Sequence, residues 1–160
     1  MYVIAEEHDQ EPQPQPPAPG YYVRRRSRGF AAHINASGPH LRSVRELIAK
    51  VLAELGVDAD AADSAQLVVS ELVGNAVRAV GDHVPVVVEV YATSFGVAVN
   101  VHDPDPLALP RRRGIALDDA VAESGRGLAL LDVVAPGWHV IRSAIGKQVR
   151  CRVPEDRPCG

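Results

Sequence analysis

The chain has 160 residues, 46% hydrophobic and 23% charged, enough to bury one sizeable core and too few to expect two. A net charge of −3 excludes a global attraction to nucleic acid or anionic membrane, so any partner must be read from local sites. No apolar run approaches bilayer-crossing length, the N-terminus MYVIAEEHDQ is acidic where a secretory signal would be basic, and the two cysteines lack the number and spacing of a disulfide framework or zinc site.

These features predict a cytoplasmic protein with no membrane partner. Cys151, among alternating polar neighbours, is expected to be a buried reduced thiol in a strand, and Cys159 a free surface thiol. Residues 9–20, DQEPQPQPPAPG, are too polar and proline-rich to repay ordering, so residues 1–29 are expected to form a disordered tail. Within it, Arg24, Arg25, Arg26 and Arg28 lie near Tyr21 and Tyr22. This cluster reads as a solvated charged arm, with contact to nucleic acid or an acidic partner as the alternative.

From Leu41 the pattern is helical. Leu41, Val44, Leu47, Ile48, Val51, Leu52 and Leu55 recur at the spacing of one apolar face, after Ser37 and Pro39 and before Gly56. A second helix follows, with Asp58 or Asp60 as N-cap, running to Val80 and stopped by Gly81. The period then becomes strand-like: Val84 to Tyr91 and Phe95 to His102 form a hairpin joined by residues 92–94. A proline-containing loop from Asp103 to about Ser124 is long enough to suggest a lid. Residues 125–135 are expected to be helical, and 138–143 and 148–153 to form a hairpin turning at 145–147. The order α, α, β, β, loop, α, β, β implies a two-layer α/β sandwich, with a mixed, mostly antiparallel sheet and helices on one face. The domain is expected over residues 30–154, with 155–160 a C-terminal tail.

The second helix contains SELVGNAVR, residues 70–78. Val69, Leu72, Val73, Ala76, Val77 and Val80 form a stripe suited to packing on a sheet. Glu71 and Asn75 lie off it, about 40° apart at ~100° per residue, with Arg78 close to them. An ordinary polar helix face accounts for these residues by spacing alone. Two details favour a site: Leu67 and Val68 lie on the same side, which implies partial cover, and Gly74 costs roughly 1 kcal/mol of helix stability, which implies a close approach to its backbone. A carboxylate one turn from a carboxamide suits phosphoryl transfer, with the Asn75 oxygen as a magnesium ligand and Glu71 as proton acceptor.

Two further features stand downstream. Asp103, at a strand's end before Pro104, reads either as an acceptor for an exocyclic amine or as common turn chemistry. Gly125, Arg126, Gly127 and Leu128, at a loop-to-helix junction, read either as a phosphate cradle or as a tight turn.

The ordered set is the specific signal. Glu71-x-x-x-Asn75 on a helix, a strand ending at Asp103, a variable loop, GRGL opening a helix and a hairpin with Gly146-Lys147 resemble the histidine-kinase-like ATPase (GHKL) superfamily, in particular its single-domain anti-sigma-factor serine/threonine kinases. The resemblance covers residues 30–153. It implies an ATP-binding α/β sandwich of the Bergerat type, with ATP and Mg2+ as cofactors. Asn75 would hold magnesium, Glu71 would be the general base, and Asp103 would bind the adenine amine. Gly125, Arg126, Gly127 and Leu128 would hold phosphate, and residues 104–124 would act as lid. It implies phosphorylation of Ser or Thr on an anti-anti-sigma partner, sequestration of a sigma factor, possible homodimers and no direct contact with nucleic acid.

Two departures stand out. The usual Asp-x-Gly-x-Gly box is Asp103-Pro104-Asp105-Pro106-Leu107 here, without either glycine, and Ala79 stands where relatives often carry His. No phosphoacceptor helical bundle is apparent, so His33, His40, His83, His102 and His139 are expected to be structural or surface residues. The altered box keeps a second reading open, a catalytically degenerate nucleotide-binding module that regulates its partner by contact alone.

Overall fold

Val86, Val88 and Val90 are buried and alternate with half-buried Val87, Glu89 and Tyr91, so one strand presents an apolar face and a more polar one. The same alternation recurs along the neighbouring strands and builds a sheet that is apolar toward one layer of helices. A computed structural model of the chain describes residues 19–106 and 129–155. Its strands are β1 (Tyr21–Arg26), β2 (Gly29–Asn35), β3 (Pro85–Thr93), β4 (Gly96–Asp103), β5 (His139–Ser143) and β6 (Gly146–Pro154). The helices are α1 (Gly38–Glu54) and α2 (Ala59–Val80), and residues 129–134 are also helical.

The strand order is β1-β2-β3-β4-β6-β5, and every pairing is antiparallel. The register aligns Val88 with Val101, Val90 with Val99, Val99 with Cys151 and Val101 with Val149, placing the β-branched side chains in rows on one face. That face is covered by α1, through Val44, Ile48, Val51 and Leu52, by α2, and by Leu131 and Ala135. The protein is thus a two-layer α/β sandwich with helices on one face of an antiparallel sheet. Among the described residues no helix is long and apolar enough to cross a membrane.

Local chemistry sets the helix limits. Ser37 is the N-cap of α1, its Oγ accepting from the His40 N–H at 3.2 Å, and Gly56 takes the left-handed conformation (φ 74°) just after the helix. Asp58 is the N-cap of α2 but makes no side-chain cap bond. Its backbone N–H instead donates to the Glu155 carboxylate at 2.8 Å, so a residue assigned to the C-terminal tail contributes a negative charge at a helix N-terminus.

Residues 21–29, expected to lie in a disordered tail, belong to the sheet and its first turn. Residues 21–26 pair with 29–34, and the hairpin they form adds two strands to the sheet before α1. The Arg run hid an alternation in which Tyr21 and Val23 pack against the core while Tyr22, Arg24 and Arg26 take the other side. Arg25, on the helix side, pairs with Glu54 of α1 at 3.0 Å. Arg24, Arg25 and Arg26 thus belong to a charged edge strand, a common device against edge-to-edge association, and Arg28 to the turn that follows it, rather than to a free arm. Gly29 lets β2 pass close to β3, because a Cβ there would lie 1.9 Å from the Val90 carbonyl oxygen.

Other boundaries shift by one or two residues. The β3–β4 turn falls at residues 94–95, held by Thr93, whose hydroxyl donates to the Gly96 carbonyl at 3.0 Å. On α2 the apolar stripe includes the fully buried Val68, whereas Leu67 and Val80 are about half exposed (47% and 51%), so Leu67 is no sign of a covered site. The turn expected at 145–147 lies at 144–145, which leaves Lys147 inside β6.

Candidate functional site

Glu71, Gly74 and Asn75 lie together on one side of α2 and are half-buried, while the stripe formed by Val69, Leu72, Val73 and Ala76 is buried against the sheet. The helix therefore separates a packing face from a polar one, as its spacing predicts. Among the described residues the Glu71 carboxylate makes no hydrogen bond or ion pair. Asn75 does: the Arg78 guanidinium, one turn on, donates to its Oδ1. The feature that approaches the Gly74 backbone is this same guanidinium, since a Cβ on Gly74 would sit 3.3 Å from Arg78 Nη1.

Asp103 ends β4 on the same side of the strand as Val97, Val99 and Val101, the side that α2 packs against. It is 4% exposed, and Lys147, equally buried, answers its charge, with Nζ 3.0 Å from each carboxylate oxygen. Oδ1 also accepts the Asp105 N–H at 2.9 Å, and Nζ donates to the Asp105 carbonyl at 2.9 Å. A carboxylate has about four acceptor positions, and these contacts occupy most of them. The Asp-Pro-Asp segment is thereby folded back onto the lysine, in the chain segment where the usual glycine box would lie.

Sequence reasoning missed Lys147 as the partner of Asp103. Its signal was present: Lys147 falls in the inward series with Val149, Cys151 and Val153, and a lysine on a buried face requires an acid. Gly146 permits the approach. It has φ 150°, and a Cβ there would lie 1.9 Å from the Asp103 carbonyl oxygen.

Gly125, Arg126, Gly127 and Leu128, and the expected lid beyond residue 106, lie outside the described residues. Glu71, Asn75 and Asp103 are thus the candidate residues that the structure describes: two on the polar side of α2 and one at the end of the strand beneath it. A cavity of about 560 Å3 opens elsewhere, bordered by Tyr22, His33, Val87, His102 and Pro104, and none of those three residues lines it.

For magnesium, the donor set is one amide oxygen with a carboxylate one turn away. No group of three or more His, Cys, Asp or Glu able to hold an ion occurs among the described residues. Such a site fits a metal that arrives with phosphate oxygens, the usual habit of magnesium, and not one held by protein alone.

A family model described as the histidine kinase-like ATPase domain matches residues 34–153, a span that includes Glu71, Asn75, Asp103 and Lys147. Over 60 residues, 38% of this chain, the sequence is 45% identical to an uncharacterized protein of Streptomyces coelicolor, and the match spans 55% of that protein's length.

Proposed function

Because the chain belongs to the histidine kinase-like ATPase domain family, we propose that it binds ATP beside the polar face of α2 and transfers the γ-phosphoryl group to Ser or Thr of an anti-anti-sigma protein, while sequestering a sigma factor in that protein's absence. The observation that carries the ATP reading is the joint placement of Glu71 and Asn75 on one side of α2 and of Asp103 on the α2-facing side of β4. Asn75 offers its amide oxygen to a phosphate-borne magnesium ion, which supplies neutralisation of phosphate charge when bound. Asp103 offers its remaining acceptor position to the adenine amine. Gly125, Arg126, Gly127 and Leu128 contribute backbone N–H groups and a guanidinium to phosphate, and residues 104–124 cover the nucleotide.

In transfer, Glu71 accepts the proton of the substrate hydroxyl as its oxygen bonds to the γ-phosphorus, and the bond to the bridging oxygen of ADP breaks. A half-buried carboxylate without a competing partner is suited to that task. The partner class and the possible homodimer come from the resemblance to the anti-sigma kinases.

A second reading has its own observation. The Asp103 carboxylate is already engaged by Lys147 and the Asp105 N–H, and the glycines of the adenine-side box are absent. A module that binds nucleotide weakly and regulates its partner by contact would tolerate both.

Calorimetric titration of the full chain with ATP and magnesium tests the first step. Saturable binding is expected, and its absence in titrations with both ATP and ADP overturns the ATP reading. Transfer of labelled phosphate to a co-purified partner separates kinase from contact regulator, since the latter gives none at any magnesium concentration.

A further inference from the structure

We propose that the acidic stretch of residues 6–11 docks on the outer face of this chain's own sheet, the face turned away from α1 and α2, and covers it until salt or a competing polyanion displaces it. The strand register puts Arg24, Glu89 and Arg150 in one row on that face, and Arg26, Tyr91 and Arg152 in the next. Arginines on β1 and on β6 therefore flank a central Glu89–Tyr91 pair. Among the described residues none of these four arginines forms an ion pair. Arg152 lies over the Phe95 ring at 5.6 Å, and Arg150 Nε donates to the Gln148 side chain at 2.8 Å. Glu89 is the one carboxylate that the strands place on this face, and it already accepts from the Tyr91 hydroxyl and the Gln148 amide.

Charge and connectivity select the occupant. The chain carries a net charge of −3, yet this face opposes four arginines to one glutamate. Glu6, Glu7, Asp9 and Glu11 bring four carboxylates close together in sequence, the planar acceptors that guanidinium groups match best. Gly20, in the turn that leads into β1, borders the cavity on this same face together with Tyr22, His33, Val87 and His102. From there Arg24 lies about 13 Å along the strand, and Arg150 a further four strand spacings, about 19 Å, across the sheet. Residues 12–19, five of them proline, extend at ~3.1 Å each and carry Glu11 up to about 25 Å from Gly20, which reaches both arginines. A single exposed pair contributes little, but a tether of this length holds the segment at an effective concentration in the millimolar range, so several weak pairs suffice.

The test is paramagnetic relaxation in the isotopically labelled full chain, with a nitroxide on Ala5→Cys, Cys159→Ser in the background and Cys151 protected by burial. Amide signals of residues 24–26, 89–91 and 150–152 should lose roughly half their intensity or more relative to those of α1, and recover in about 0.5 M salt. They should recover equally when Glu6→Gln, Glu7→Gln, Asp9→Asn and Glu11→Gln are combined, and when Arg24→Gln is combined with Arg150→Gln. Losses no greater on the sheet than on α1, or unchanged by the neutralised acids, overturn the proposal. Losses that arise only on mixing a nitroxide-bearing chain with an isotopically labelled chain lacking nitroxide assign the segment to a second copy and overturn docking within one chain. An oligoglutamate peptide should bind the acid-neutralised chain about tenfold more tightly than the wild type, because the tethered segment no longer competes. Equal affinity for the two proteins overturns the covering role.

Discussion

Lys147 Nζ lies 3.0 Å from both carboxylate oxygens of Asp103, with both side chains almost wholly buried at the junction of β6 and β4. Replacing one partner leaves an uncompensated charge in a dry place. Lys147→Met is expected to cost about 3–5 kcal/mol, measured by urea denaturation, because the carboxylate loses its counter-ion while remaining buried. The double variant Lys147→Met with Asp103→Leu should recover most of that loss. If the double variant is as unstable as the single one, the ion pair is not the origin of the effect.

Glu71 and Asn75 share a face but are expected to fail differently. Asn75→Ala should lose magnesium-dependent nucleotide binding, read by calorimetry. Glu71→Gln should bind nucleotide within about twofold of the wild type and lose phosphoryl transfer by roughly 100-fold or more, since only the proton acceptor is removed. A Glu71→Gln protein that transfers at the wild-type rate would exclude the general-base role.

Gly146 meets two constraints at once, a φ of 150° and a neighbouring carbonyl that leaves no room for a Cβ. Gly146→Ala should destabilise the fold by roughly 2 kcal/mol or more, and it should do so by displacing the Asp103-Pro104 segment. Gly56, whose φ is also positive but whose Cβ would meet nothing, provides the comparison: Gly56→Ala should cost about 1 kcal/mol.

Burial pushes the Cys151 thiol up from 9.0 to about 12. The folded state holds this proton more tightly than the unfolded chain, so the stability it contributes is fully present below pH 9 and is lost as pH rises from 9 toward 12, at up to about 1.4 kcal/mol per pH unit. Urea midpoints across that range should fall less steeply for Cys151→Ala than for the wild type. At pH 8 the native thiol should resist alkylation that the unfolded chain undergoes rapidly.

The helices were legible because their limits are written in single residues: Ser37, Gly56 and Gly81 stop or start them for reasons that need no tertiary partner. The central hairpin was legible for a similar reason, a run of valines at period two. The N-terminal hairpin was not. YYVRRR has an alternating pattern, but four arginines among residues 24–28 read as solvated chain until Glu54 is brought beside Arg25 by the folding of α1 across the sheet. The same limit applied at the site. Glu71 and Asn75 declare themselves by helical spacing, whereas the pairing of Asp103 with Lys147, 44 residues apart, depends on a strand register that places β6 beside β4. Arg78 was visible as a neighbour of Asn75, but Gly74 explains itself only once the guanidinium is seen over it.

The β1–β2 hairpin also bears on where this domain may be cut. The family match begins at residue 34, one residue before the end of β2, so a fragment trimmed to that match would lose all of β1 and most of β2. Phe30, Ala32 and the Arg25–Glu54 tie would go with them, and Val88 and Val90 would lie on a bare sheet margin with unpaired backbone groups. Such a fragment would offer a template for self-association. Its behaviour in solution would then be mistaken for that of the protein, and an oligomeric state measured on it would describe the cut and not the chain.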